Sequence, residues 1–114
     1  MITYTQNLTE KLKGKWKCKG YDENDSKITD FEVFHLVFSE NMVSCLPREN
    51  SFWPRMCIYE AIGTKNGGYF FREDGCFFQV KNVSEYFLHI ELNLKINEDG
   101  RINKYLFYFE MEKE

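Results

Sequence analysis

Proline is scarce in this chain, with 2 residues in 114, and both fall in one loop, as Pro47 and Pro54. A chain so poor in proline has little rigid linker and no proline-rich tail. No apolar run is long enough to cross a bilayer as a helix. The amino-terminal Met1-Ile2-Thr3-Tyr4 has neither the basic region nor the apolar core of a secretory leader. A cytoplasmic location is therefore expected, with secretion the alternative if a leader has been removed. The four cysteines, Cys18, Cys45, Cys57 and Cys76, contain no C-x-x-C pair and have no histidine at finger spacing, which excludes a zinc finger. In a secreted chain they could pair in three ways; in the cytoplasm they are expected as buried free thiols. A basic excess is also lacking. Net charge is −3 and the isoelectric point is near 5.5, which argues against nucleic acid, whose phosphates must be neutralised by the binding protein.

Catalytic signatures are missing as well. There is no G-x-S-x-G, Walker loop, H-E-x-x-H or dinucleotide fingerprint. Asp22-Glu23-Asn24-Asp25-Ser26 opens like a calcium loop. It lacks the glycine at position six, and Val33 stands where the acid at position twelve should be. No metal, cofactor or catalytic residue is expected, and the chain is read as non-enzymatic.

Aromatic residues are abundant, at 18% of the chain, with 11 Phe and 7 Tyr. Flat rings pack well on a pleated face, so this excess favours strands. At 114 residues the chain is expected to form one domain, residues 1–114, with a single core. Thr5 to Lys13 reads as one or two helical turns. Leu8 and Leu12 share a face, Thr5 or Asn7 could cap the start, and Gly14 suits the end.

Beyond Gly14 the spacing predicts about eight strands. The first covers Lys15–Tyr21, with Trp16 and Cys18 on one face and Lys15, Lys17 and Lys19 on the other. Those lysines suit a solvated face that protects an edge; a phosphate-binding patch is the alternative. A long second strand, Ile28–Phe38, is apolar on both faces. Met42–Leu46 and Met56–Ile62 follow. Asp74-Gly75 is expected to form a two-residue type I′ turn. That turn would set Glu73 opposite Cys76, Phe71 opposite Phe78 and Tyr69 opposite Val80. Tyr86–Leu94 alternates most cleanly, and Lys104–Met111 comes last. Short sequential connections imply antiparallel neighbours. Eight such strands favour closure into an up-and-down barrel, because closure removes the edges. An immunoglobulin-like sandwich fits less well, since it needs Greek-key crossings.

With its short helix, Gly14-Lys15-Trp16 at the start of the first strand, and the strand meander, the chain resembles the lipocalin-like (calycin) small β-barrel proteins. The resemblance implies an all-β, eight-stranded antiparallel barrel with a Trp packed across its closed end. It also implies a basic partner for that Trp near the last strand, with Arg101 and Lys104 the candidates here. Binding of a small apolar ligand in the lumen follows from the same resemblance. Its lining would come from Trp16, Phe34, Leu36, Phe38, Tyr69, Phe71, Phe78, Tyr86, Leu88 and Phe107.

One loop stands apart. Pro47-Arg48-Glu49-Asn50-Ser51-Phe52-Trp53-Pro54-Arg55 keeps two large aromatics where loops usually shed them. They either fold back as a lid on the core, cover a barrel mouth as a flap, or anchor a protein interface, where Trp and Arg are frequent hot spots. Arg48, Phe52, Trp53 and Arg55 are thus the candidate partner-binding residues. Of the two histidines, His35 is expected half-buried and hydrogen-bonded, and His89 on a solvent face. The expected function, to which the resemblance tips the choice, is non-enzymatic binding of a small apolar ligand in the lumen; the alternative is a protein-interaction module of the inhibitor or immunity type that uses a surface loop rather than a cavity. A cavity favours the first; a filled interior favours the second.

Overall fold

A computed structural model describes residues 3–114. Met1 and Ile2, on which part of the reading of the amino terminus rests, lie outside the described residues. Helix α1 spans Tyr4–Leu12 and is capped by Thr3 rather than Thr5 or Asn7. Thr3 Oγ1 accepts from the Gln6 N–H at 3.1 Å, and Gln6 Oε1 accepts from the Thr3 N–H at 2.9 Å. This reciprocal pair satisfies two amide donors at the helix start. Leu8 and Leu12 are buried against the barrel. Close docking depends on Gly63, where a Cβ would collide with the Tyr4 carbonyl oxygen.

The strands are β1 Gly14–Glu23, β2 Ser26–Ile28, β3 His35–Phe38, β4 Met42–Leu46, β5 Met56–Thr64, β6 Gly67–Arg72, β7 Phe77–Val83, β8 Phe87–Glu98 and β9 Arg101–Lys113. All pairings are antiparallel, and β1 meets β9 to close the sheet. Eight strands form the barrel, and β2 is a short addition beside the far half of β1. The all-β closed barrel with a short N-terminal helix is therefore as expected. So is the alternation of β1: Trp16 and Cys18 point inward, while Lys15, Lys17 and Lys19 take the outer positions.

Two expectations need correction. The second strand does not run unbroken over Ile28–Phe38; residues 29–34 leave the ladder. Its two-sided apolar character comes from Phe31 and Phe34, which turn toward the core from irregular backbone. Phe31 packs on Tyr21 at 5.2 Å, and the Phe34 carbonyl accepts from the Cys18 N–H at 3.0 Å. The β6–β7 register is also one residue away from that expected. Phe70 faces Phe78 and Phe71 faces Phe77, because the turn holds three residues. Arg72 N–H donates to the Cys76 carbonyl at 2.9 Å across Glu73, Asp74 and Gly75, and Gly75 takes φ +91°. A one-residue slip of this kind moves a strand's side chains to its other face. Phe70 and Arg72 are consequently inside, and Tyr69 and Phe71 outside.

The closed end is built around Trp16. Its Nε1–H donates to the Leu12 carbonyl at 2.8 Å. The Lys113 ammonium lies 4.4 Å from the centre of the Trp16 ring and donates to the Lys13 carbonyl at 2.6 Å. The last carbonyls of a helix lack partners within it, and here the barrel supplies them. Gly14, at φ +126°, leaves room for this, since a Cβ there would strike the Lys113 side chain. The basic partner of Trp16 is thus Lys113, not Arg101 or Lys104. Strand β9 runs two residues beyond the expected Met111, which puts Lys113 in register with Trp16. Lys113→Met should lower stability by about 1–2 kcal/mol in urea melts, by loss of a cation–π contact and a charged hydrogen bond. Arg101→Met and Lys104→Met should each stay within about 0.5 kcal/mol of the parent protein.

Candidate functional site

Seven of the ten expected lumen residues are buried: Trp16, Phe34, Leu36, Phe38, Phe78, Leu88 and Phe107. The other three are not. Tyr69 and Phe71 lie on the outer face through the register shift. Tyr86 is 72% exposed, because it belongs to the turn before β8. There Ser84 Oγ accepts from the Tyr86 and Phe87 N–H groups, both at 3.1 Å.

The loop between β4 and β5 turns inward. Asn50 shapes it: Oδ1 accepts from the Phe52 N–H at 2.9 Å and the Trp53 N–H at 2.8 Å, while its own N–H donates to the Trp53 carbonyl. Trp53, only 1% exposed, stacks on Phe78 at 4.7 Å and meets Phe109 edge-on at 5.9 Å. Phe52 packs on Phe107 at 4.5 Å and on Phe109 and Tyr21 at 5.5 Å. Of the three expectations for this loop, the lid on the core is the one realised. Phe52 and Trp53 are therefore not free to anchor a partner in this conformation. Arg48 and Arg55 remain exposed, with Arg48 paired to Glu32 at 3.1 Å.

Arg72 completes the plug and was not foreseen from the sequence. Only 5% exposed, its guanidinium lies 5.2 Å from the ring centres of both Trp53 and Phe78. It donates to the Phe52 carbonyl and makes a forked pair with Asp74, at 3.1 and 2.8 Å. A buried guanidinium needs such a partner set. Burial pushes the Asp74 carboxyl up, but Arg72 and the Cys76 N–H outweigh this and hold it below the usual range. Trp53 Nε1 is a buried donor with no partner among the described residues.

With these side chains in place the barrel has a packed interior rather than an open lumen. Three depressions, of about 700, 660 and 490 Å3, lie on the outside. The first lies between α1 and the Glu40-Asn41 turn, the second beside Glu85, and the third beside Tyr86 and His89. Eight strands enclose only enough space for side chains or one small ligand, and here side chains take it.

Both histidines have side-chain partners. His35 Nε2 meets Glu114 Oε1 at 2.6 Å and His89 Nδ1 meets the Tyr108 hydroxyl at 2.9 Å. His35 is half-buried as expected; His89 is more enclosed than expected, lying between Phe87 and Tyr108. All four cysteines are free, with Cys18, Cys45 and Cys57 buried. Burial pushes the Cys18 thiol up to about 12 and Cys45 up to about 11. Thiols held so high carry little of the nucleophilic thiolate.

The outer face of β5–β7 shows the opposite pattern. Met56, Ile58, Phe71 and Phe77 are exposed there, and the register connects them. Met42 faces Ile58, Phe71 faces Phe77, and the Tyr69 and Phe77 rings lie 4.9 Å apart. The sequence signal was the two-sided apolar character of Tyr69–Phe71, which a register misplaced by one residue assigned to the lumen. Compared with known proteins, the chain matches no family model, no curated protein and no solved structure.

Trp53→Ala should destabilise the protein by about 3–5 kcal/mol in urea melts, the cost of emptying a large core position. Arg48→Ala, by contrast, should leave the midpoint within about 0.5 kcal/mol. Equal, small effects from both substitutions would mean that Trp53 does not fill the core.

Proposed function

We propose that this protein is a non-enzymatic interaction module, of the inhibitor or immunity type, built on a lipocalin-like barrel and working through its outer surface. The supporting observation is the occupied interior. Trp53, Phe52 and Arg72 sit where a lumen ligand would, and they satisfy one another by stacking and by hydrogen bonds. A ligand would have to replace a stacked indole and a buried guanidinium contact before gaining anything of its own. Outside, the barrel leaves large apolar side chains uncovered on one face, which is where soluble proteins meet partners. The high thiols and the engaged histidines support the non-enzymatic reading.

The second reading is a small apolar ligand in the lumen, admitted when the Pro47–Pro54 loop swings out. One observation favours it: the unpartnered Nε1 of Trp53, a donor that gains a water or a partner on leaving the core. Native mass spectrometry after mild extraction separates the two. The interaction reading expects the mass of the bare chain, and no binding of a fluorescent fatty-acid or retinoid probe. A stoichiometric co-purified small molecule, or a probe whose binding alters tryptophan emission, would overturn it in favour of the lumen.

A further inference from the structure

The outer face of β5–β7 carries more than apolar side chains. Glu60 lies directly opposite Phe71 in the ladder, so one carboxylate sits within the apolar row. A second, Glu73, closes the end beside Ile58: its Oε1 accepts from the Ile58 N–H at 3.3 Å, and its own N–H donates to the Ile58 carbonyl at 3.0 Å. Neither carboxylate has a cation within ion-pair distance among the described residues. The nearby pairs are spent elsewhere: Arg72 on Asp74, and Lys81 on Glu91 at 3.9 Å. Arg55, exposed, precedes Met56 at the opposite border.

We infer that this face docks another protein through a surface that is apolar at its centre and basic where it meets Glu60 and Glu73. The inference rests on the interaction reading above and names its surface and partner chemistry. Charge decides between the candidates for occupant. In a two-fold dimer the same patch meets itself, so four carboxylates, Glu60 and Glu73 of each copy, would be brought into one interface with neither paired to a cation of its own chain among the described residues. Juxtaposed like charges cost interface energy. A partner bearing lysine or arginine there gains attraction instead, while its apolar centre covers Ile58, Phe71 and Phe77. The fold suits such a role. These side chains project from hydrogen-bonded strands rather than loops, so little order has to be imposed on binding.

The test uses two synthetic helical peptides with one leucine stripe in common, one flanked by lysines and the other by glutamates. Each is titrated into the intact isotope-labelled protein and followed by amide shifts. The lysine peptide should move Ile58, Glu60, Phe71 and Phe77, and the glutamate peptide should not. Glu60→Lys with Glu73→Lys should weaken the lysine peptide by about tenfold or more, as loss of complementary charges predicts. A double control at Glu85→Lys and Glu98→Lys, away from this face, should weaken it far less while matching net charge. All four changed positions are exposed; each double variant gives up surface hydrogen bonds, from the Ile58 N–H to Glu73 in one and from Asn103 and Tyr105 to Glu98 in the other, and a thermal melt checks that each variant folds. Shifts elsewhere, or equal loss in both double variants, would overturn this surface while leaving interaction through another face standing. Binding of neither peptide, together with uptake of a retinoid, would overturn the interaction reading itself. Self-association abolished by Phe77→Ser but insensitive to the Glu60 and Glu73 reversals would overturn the heterologous partner in favour of a second copy.

Discussion

The seating of Trp53 inside the barrel is the contact on which the rest of the arrangement depends. An eight-stranded barrel must fill its interior or enclose something. Here the indole comes from a loop, stacks on Phe78, and lies under the Arg72 guanidinium. Arg72 can be buried because Asp74 and the Phe52 carbonyl receive its N–H groups. The three-residue β6–β7 turn that carries Asp74 also sets the register that turns Arg72 inward. Turn, register, buried charge and loop conformation are thus a single solution. Its consequence on the other side of the sheet is the outward placement of Phe71.

The two ends of the barrel are closed by different means. At one end Trp16 and Lys113 take the terminal carbonyls of α1, so the helix is fixed by polar contacts as well as by Leu8 and Leu12. At the other, the Pro47–Pro54 loop folds in and places aromatics against Phe107, Phe109 and Tyr21. In both cases a cation sits over an indole. The geometry of the interior is therefore set by few polar groups within a large aromatic cluster.

Much of this was legible in the residues. The period-two runs of β1 and β8 gave correct faces, Tyr86 excepted, because one side of each strand is apolar and the other mostly polar. Gly14-Lys15-Trp16 marked the helix stop and the first inward aromatic. What misled was local ambiguity. Tyr69, Phe70 and Phe71 are all aromatic, so alternation could not choose a register there, and Asp74-Gly75 read as a two-residue loop when Glu73 joined it. Lys113 was hidden because β9 continues through two charged residues, Glu112 and Lys113, beyond its last buried one, Met111. The loop aromatics were recognised as unusual, but only tertiary packing distinguishes an inward plug from an outward anchor.

Iodide quenching of tryptophan fluorescence in the unmodified protein tests the filled interior most directly. The chain has 2 Trp, and both are buried, Trp16 at 0% and Trp53 at 1% exposure. A filled barrel predicts blue-shifted emission that iodide leaves almost untouched and that a retinoid does not change. A red-shifted, iodide-quenchable fraction amounting to one of the two indoles, altered on adding retinoid, would contradict it, placing Trp53 outside and leaving the lumen open.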